Sequence, residues 1–283
     1  MLVDIPSIMA GHGLEVVGPI TPLQERPGRL VARVETGGGS LVIKAATDPG
    51  AFATEVAAIA RLAGHGLPVS GVVAVSAGPP SYLVLSWTEG AQLTSASPLA
   101  AQREAGALLR RVHAIRPAWL GETRYAGEPT WDSWMAGWLN SALAWWGTVS
   151  PAGLLDPPRV WAWFHALRPL LATRGHDLML FDGRPEHWIV RGETMAGLID
   201  VSELRVGDAA MDLGVIAVPD PELLTGVLDG YRPDPEERAV FQRLVPFYTF
   251  LRRISAAEYY QRFGTPDEVQ QMLARIAATE IPA

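Results

Sequence analysis

A change from strand-like to helix-like sequence near Glu89–Gly90 divides this chain into two parts of different architecture. Before it, four runs rich in β-branched and aromatic residues predict strands: 29–35, 40–45, 72–75 and 81–87. The glycines of 36–39 permit the positive φ that a hairpin turn needs. Apolar residues at helical spacing over 51–63 predict a helix that ends before Gly64. The N-terminal part therefore predicts a small antiparallel sheet with one helix across it.

Helices dominate the rest of the chain. Three runs have apolar residues at helical spacing: 98–115, 131–172 and 208–283. Ahead of the last run, two apolar segments flank 191–194, which predicts a β-hairpin with its turn at Gly192. The predicted fold class is α+β with two lobes, a small N-terminal lobe over 1–89 and a larger, mainly helical lobe over 90–283.

Composition excludes several classes of protein. With 283 residues, 48% hydrophobic and 19% charged, the chain is long and apolar enough to bury a substantial core. A net charge of −7 argues against nucleic-acid binding, and the absence of cysteine excludes disulfides and thiolate metal sites. No apolar stretch approaches the roughly 18–20 residues that span a bilayer, and no secretion signal is evident at the N-terminus. The expected location is the cytoplasm, without membrane partners.

Two aspartates bracket the predicted hairpin. Asp182 precedes the first strand, and Asp200 follows the second. Such a layout is typical of phosphoryl transfer, where one acid orients an attacking hydroxyl group and the other holds a metal ion on the nucleotide phosphates. A rigid hairpin would hold both acids on one side of a cleft. The alternative is a pair of unrelated surface acids beside a hairpin, since aspartate is common in loops.

Lys44 ends a strongly apolar predicted strand, from which its side chain can reach nucleotide phosphates if another group holds it. Glu55, in the helix that follows, can do so as an ion pair. The alternatives are an edge-strand lysine that prevents aggregation and a solvated position on the helix. A lysine on a strand, a glutamate on the next helix and two acids far downstream occur in this order along the chain. The order favours one common site over a chance arrangement.

This order resembles the aminoglycoside phosphotransferase and choline kinase family, small-molecule kinases with a protein-kinase-like fold, over roughly Leu14–Tyr231. The catalytic loop of that family reads His-Gly-Asp, four residues, then Asn, with a second Asp thirteen residues later. Asp182, His187 and Asp200 keep both spacings. Residues 197–214 are similar to the family pattern around and after the metal-binding aspartate, and they form the most specific segment.

The resemblance implies roles for individual residues. Lys44 would contact the α- and β-phosphates of ATP, or of GTP, and Glu55 would orient it. Asp182 would accept or orient the acceptor hydroxyl group. His187 and Asp200 would face Mg²⁺ or Mn²⁺. A hinge that meets adenine through its backbone would comprise Ser86, Trp87 and Thr88. Bracing roles are implied for Asp208, Asp212 and the helix that ends near His113.

The chain departs from the family pattern at three places. Leu180-Phe181 replaces His-Gly, so the loop must be braced differently. His187 replaces Asn, and magnesium prefers oxygen ligands. Glu186-His187 nevertheless resembles the macrolide-kinase subset. The segment 23–29, expected over the phosphates, holds only one glycine.

The acceptor is expected to bind beside residues 117–170, which are rich in tryptophan. Aromatic side chains suit an apolar or cationic molecule, although they can equally fill the core between helices. The predicted activity is transfer of a nucleotide γ-phosphate to the hydroxyl group of an antibiotic, amino-alcohol or sugar-like acceptor. An antibiotic acceptor would imply antibiotic resistance. The alternatives are a catalytically silent nucleotide- or ligand-binding relative and an α+β protein without kinase chemistry. The chain is expected to be a monomer or homodimer.

Overall fold

The computed structural model describes residues 3–116, 130–149 and 155–282. The chain forms two compact units. The N-terminal unit comprises Met1–Leu93 together with Glu186–Leu204, and the C-terminal unit comprises Thr94–Pro185 together with Arg205–Ala283. The division into lobes at 1–89 and 90–283 stays a prediction, based on the change from strand-like to helix-like sequence. By its contacts, the hairpin segment groups with the N-terminal residues.

The N-terminal unit begins with α1 (Ile5–Gly11), β1 (Val16–Arg26), β2 (Arg29–Thr36), β3 (Gly39–Ala46), α2 (Ala53–Gly64), β4 (Val72–Ser76) and β5 (Ser81–Ser86). The five strands form an antiparallel sheet, which is the main layer of the unit, in the order β1-β2-β3-β5-β4. Lys44 pairs with Val31 on one side and Leu83 on the other, so it lies on a central strand. The alternative of an edge-strand lysine is therefore wrong.

One face of this sheet is covered by α1. Ile5 and Met9 of the helix pack against Ala32, Val34 and Ile43, which are buried. Ala32 and Val34 share a face because side chains alternate along a strand. The short α1 was not predicted, since its seven residues offer too few turns for a helical period to stand out.

A second, three-stranded sheet carries the predicted hairpin. It contains β6 (Ala91–Gln92), β8 (Trp188–Arg191) and β9 (Thr194–Leu198), in the order β6-β8-β9. The turn between β8 and β9 includes Gly192 at φ +63°, as predicted. Leu198 N–H donates to Pro68 O at 2.7 Å, and Leu198 also bridges Val69. The hairpin is thereby attached to the segment that enters β4, which positions the residues that follow it.

Helices make up most of the C-terminal unit, as predicted. They are α3 (Leu99–His113), α4 (Trp131–Val149), α5 (Pro157–Leu171), α6 (Ala209–Ile216), α7 (Leu223–Tyr231), α8 (Pro235–Phe263) and α9 (Pro266–Ala277). Two short antiparallel strands accompany them, β7 (Asp177–Met179) and β10 (Arg205–Gly207). The core includes Phe247, Tyr248, Phe250 and Leu251 of α8. None of the helices in the described ranges combines the length and the apolar character needed to cross a bilayer.

Candidate active site

Lys44 is the centre of a charged cluster in the N-terminal unit. Its Nζ lies 2.6 Å from Glu55 Oε1 and 2.9 Å from Asp200 Oδ1. The lysine is 6% exposed because its strand is flanked on both sides by other strands. Two of the three ammonium hydrogens are therefore engaged with carboxylates, one nearby in the sequence and one distant.

The ion pair predicted between Lys44 and Glu55 is present. Glu55 lies in the first turn of α2 and is 1% exposed, so the alternative of a solvated helix position is wrong. A buried carboxylate needs a paired charge, and the ammonium group supplies one. The lysine is thus held in one orientation, as a phosphate ligand would have to be.

Asp200 follows β9 and adopts a left-handed backbone conformation, with φ +53°. Aspartate tolerates this region better than most residues. Burial tends to raise the pKa of Asp200, but the nearby Lys44 ammonium and, more weakly, His187 lower it below its ordinary value. The carboxylate is consequently an anion at neutral pH, with oxygens suited to a hard divalent cation.

His187 ends a 3₁₀ turn, Pro185–His187, immediately before β8. Its backbone oxygen accepts a hydrogen bond from Ile199 N–H at 2.9 Å, so the two ends of the hairpin are joined. Its ring Nε2 lies 3.9 Å from Asp200 Oδ2. Adjacent ligands of one octahedral ion, each about 2.1 Å from it, lie roughly 3.0 Å apart, so the two side chains would have to move closer together to share a cation as neighbouring ligands.

The pair is not a complete cage. Across the residues that the structure describes, no three histidine, aspartate or glutamate side chains converge on one point as metal ligands. A cation on His187 and Asp200 would therefore need further oxygen ligands, which nucleotide phosphates and water can provide. Magnesium prefers oxygen ligands, so the imidazole nitrogen of His187 is a weak ligand for it.

The predicted hinge continues from the end of β5. Ser86 N–H donates to Gly71 O, and Trp87 N–H donates to Ser40 O, so both groups are used within the N-terminal unit. Contact of the Ser86–Thr88 hinge with adenine stays a prediction. The Trp87 ring is half-buried and lies 4.5 Å from the Arg33 guanidinium.

A second cluster surrounds Asp182, in the C-terminal unit. The chain turns sharply here, with Asp182 N–H donating to Leu180 O at 2.8 Å. Asp212 of α6 accepts hydrogen bonds from Leu180 N–H at 2.7 Å and from Phe181 N–H at 2.8 Å. These bonds end β7 at Met179, because the next two N–H groups turn away from a strand partner.

Asp212 is itself held in place. It is 1% exposed, and its Oδ2 lies 3.1 Å from His113 Nε2. The other ring nitrogen of His113 lies 2.9 Å from the hydroxyl group of Tyr231. The bracing role predicted for Asp212 is confirmed, as is the structural role of His113. Asp208 instead caps α6 and binds Arg174 and Tyr248.

Phe181 occupies the position where the family carries glycine, and its φ is +65°. A left-handed conformation costs a residue with a side chain about 1–2 kcal/mol. The guanidinium groups of Arg205 and Arg252 lie 3.8 and 4.9 Å from the centroid of its ring. Trp134 and Trp138 flank it at centroid distances of 6.2 and 5.8 Å. These contacts offset the backbone strain.

The Asp182 side chain meets two arginines. Arg184 Nε and Arg252 Nη2 each lie 3.1 Å from Asp182 Oδ1. Arg184 belongs to the same loop, whereas Arg252 lies 70 residues downstream on α8. A partly exposed carboxylate restrained in this way can accept a hydrogen bond or a proton from a hydroxyl group.

The tryptophans divide between core and surface. Trp131, Trp146 and Trp163 are buried, and Trp131 donates to the Tyr248 hydroxyl group at 2.7 Å. Trp134 and Trp138, near Phe181, are only partly covered. The acceptor-binding region predicted at 117–170 includes 117–129 and 150–154, which lie outside the described residues.

Comparison of the chain with protein-family models finds one match. Residues 20–241 match a model described as the phosphotransferase enzyme family. No curated protein sequence matches the chain significantly.

Several solved structures have the same fold. Macrolide 2'-phosphotransferase MphH from Brachybacterium faecium is 19% identical, with a TM-score of 0.65, and the match covers 98% of this chain and 97% of that one. A thermostable mutant of aminoglycoside phosphotransferase APH(4)-Ia, solved with ADP and hygromycin B, is 14% identical with a TM-score of 0.72 and covers 99% and 100%. The streptomycin–ATP complex of APH(2")-IIa is 13% identical, with a TM-score of 0.66, and covers 99% and 98%. The predicted kinase-like fold is therefore confirmed.

Proposed function

Because this chain belongs to the phosphotransferase enzyme family, whose structural relatives are small-molecule kinases, we propose that it transfers the γ-phosphate of ATP to a hydroxyl group of a small molecule. One observation carries the proposal beyond family membership: the Lys44 ammonium joins two carboxylates that are far apart in the sequence. Burial and two ion pairs are not expected for a lysine that only contributes surface charge. They are expected for a lysine whose ammonium group must be held in a fixed orientation to bind phosphates.

The nucleotide is assigned to the N-terminal unit. Lys44, held by Glu55, binds the α- and β-phosphates, and the Ser86–Thr88 hinge meets adenine. Asp200 and His187 would hold Mg²⁺ or Mn²⁺, and the ion would neutralise charge on the nucleotide phosphates. ATP is the favoured donor, since related structures hold ATP or ADP, while one relative solved with GDP keeps GTP as an alternative.

Asp182 is assigned the role of catalytic base. The acceptor oxygen forms a bond to the γ-phosphorus, the bond from that phosphorus to the bridging oxygen of the leaving diphosphate breaks, and the hydroxyl proton passes to the Asp182 carboxylate. Asp212 supports this role indirectly, because its two hydrogen bonds fix the backbone immediately before Asp182. The replacement of His-Gly by Leu180-Phe181 is therefore compatible with an ordered loop.

The acceptor is assigned to the class of small alcohols with an apolar portion. Trp134, Trp138 and Phe181 form a partly exposed aromatic group next to Asp182, which suits stacking against an apolar molecule. Macrolides, aminoglycosides, amino alcohols and sugars are the acceptor classes to compare. If the acceptor is an antibiotic, expression of the protein in a sensitive bacterium raises the inhibitory concentration of that drug.

The test is a screen of antibiotics, amino alcohols and sugars for transfer of radiolabelled γ-phosphate, with either Mg²⁺ or Mn²⁺. The Asp182→Asn variant should lose at least roughly 100-fold in rate and still bind ATP. The Asp229→Asn variant, which alters an exposed ion pair, is the matched control and should keep wild-type activity. Full activity of Asp182→Asn would refute the assigned base. ATP binding without transfer to any acceptor would favour a catalytically silent relative.

A further inference from the structure

Arg252 is a partly buried arginine whose side chain has contacts on several sides. It lies within α8, and its side chain is 14% exposed. Its Nη2 donates to Asp182 Oδ1 at 3.1 Å, and its guanidinium lies 4.9 Å from the Phe181 ring centroid and 5.8 Å from that of Trp138. Trp138 in turn donates to Ser255 Oγ of the same helix at 3.2 Å. The guanidinium is thus held by an ion pair and by two aromatic rings.

Arg184 also contacts Asp182, but from within the same loop. It approaches the same oxygen of Asp182 at the same distance, but its side chain is 33% exposed and it belongs to the same loop. A contact within one loop moves with that loop. The contact from Arg252 instead ties the carboxylate to a 29-residue helix that carries much of the buried core. The contact from Arg252 therefore relates the orientation of the Asp182 carboxylate to a rigid element of the C-terminal unit.

The electrostatics couple the two residues. Burial lowers the pKa of the Arg252 guanidinium below its ordinary value, while the negative charges of Asp182 and Asp212 act in the opposite direction. Arg184 and Arg205 add repulsion of like charge. The Asp182 carboxylate stabilises the positive charge of Arg252 against the cost of burial. Removal of either side chain therefore changes the electrostatic environment of the other.

We propose that Arg252 is a positioning residue for phosphoryl transfer, which holds the Asp182 carboxylate and the Phe181 ring in the arrangement that the reaction requires. This inference rests on the proposed function. Arg252 takes over, by an ion pair and ring stacking, the bracing that a histidine-glycine pair would give to this loop. Its expected contribution is to the rate of transfer, because nucleotide binding is assigned to other residues.

The experiment compares Arg252→Met, Arg252→Lys and Arg253→Met in the full chain, using the best acceptor from the screen. Arg253 is the matched control, since it is the next residue of α8 and contacts Arg275 O and Thr279 Oγ1 instead. For Arg252→Met, kcat should fall roughly 30- to 100-fold while the KM for ATP stays within about 2-fold. Arg252→Lys, which keeps the charge, should recover at least about 5-fold of this loss. Arg253→Met should remain within about 3-fold of wild type.

The inference is overturned if Arg252→Met keeps kcat within about 3-fold, or if Arg252→Lys is as impaired as Arg252→Met. If Arg252→Met does not fold, Arg252→Lys decides: it should lose about 3- to 10-fold in kcat, and an unchanged kcat overturns the inference. Full activity of Asp182→Asn would instead contradict the proposed function.

A second measurement does not depend on activity. The unfolding equilibrium constants of Asp182→Asn, Arg252→Met and the double variant should show a coupling of at least about 10-fold, or about 1.4 kcal/mol. If Arg252→Met is not recovered, Arg252→Lys takes its place in this cycle. Coupling below about 2-fold would show that the two side chains act independently and would overturn the inference.

Discussion

Replacement of Asp212 by asparagine should destabilise the C-terminal unit by about 3 kcal/mol, although the two side chains have nearly the same shape. The carboxylate accepts hydrogen bonds through both oxygens, from Leu180 N–H and from Phe181 N–H, and it also contacts His113. An amide has one acceptor oxygen. Whichever way it is oriented, one buried N–H group faces an NH₂ group and loses its partner.

The magnitude follows from these contacts. A hydrogen bond to a charged group contributes about 1.5–3 kcal/mol, and the buried donor left without a partner places the cost at the upper end of that range, about 3 kcal/mol. For a protein of this size, that corresponds to a fall in Tm of roughly 6–12 °C.

Urea denaturation followed by tryptophan fluorescence measures the effect. Asp229→Asn is the matched control, because its carboxylate is 53% exposed and paired with Arg103 at the surface. Its free energy of unfolding should change by less than about 1 kcal/mol. If Asp212→Asn unfolds within about 0.5 kcal/mol of wild type, the buried hydrogen bonds do not brace the loop and the reasoning fails.

Three further predictions concern the charged cluster and the helix packing. The pKa of Asp200 is lowered below its ordinary value of 3.8, so its ion pair stabilises the protein above that pH and is lost as the pH falls through the lowered value. The Tm of wild type should therefore exceed that of Asp200→Asn at about pH 6, and the difference in Tm should become smaller toward about pH 3. A difference in Tm that stays constant over this range would contradict the prediction. Glu55→Gln breaks a buried ion pair and should cost about 3 kcal/mol in urea denaturation, together with weaker ATP binding in a thermal-shift assay; unchanged stability would count against the pair. Gly106→Ala places a Cβ atom 1.9 Å from Val227 O, where α3 meets α7, and should cost about 3 kcal/mol, whereas the control Gly137→Ala meets no atom within 4 Å and should be neutral or stabilising by calorimetry.

Local patterns in the sequence predicted most of the secondary structure. The hairpin with its turn at Gly192 and the helices α2 and α3 lie where alternation, helical spacing and glycine placed them. Such signals are carried by neighbouring residues, so they do not depend on the rest of the fold. The short α1 and the strand β10 were missed, because segments of seven and three residues are stabilised mainly by what they pack against.

Site residues could be predicted from the sequence where they matched the spacing of the family or formed a pair close together in the chain. Lys44 and Glu55 are eleven residues apart, and their ion pair was expected. The direct contact between Lys44 and Asp200 spans 156 residues and was not foreseen. Nor did any motif mark Arg252, whose neighbours in sequence are ordinary helix residues. An arginine on a helix has the same sequence signature whether it faces water or a carboxylate.

By itself, the sequence determined the α+β class, the order of the elements and the acids that flank the hairpin, because hydrophobic periodicity and spacing are properties of the chain alone. Only the tertiary structure decided which charges meet: Lys44 with Asp200, and Arg252 with Asp182. It also decided how Phe181 is accommodated at φ +65°. The physical reason is that ion pairs and ring stacking act over a few ångströms in space, and that proximity is created by packing of elements distant in sequence.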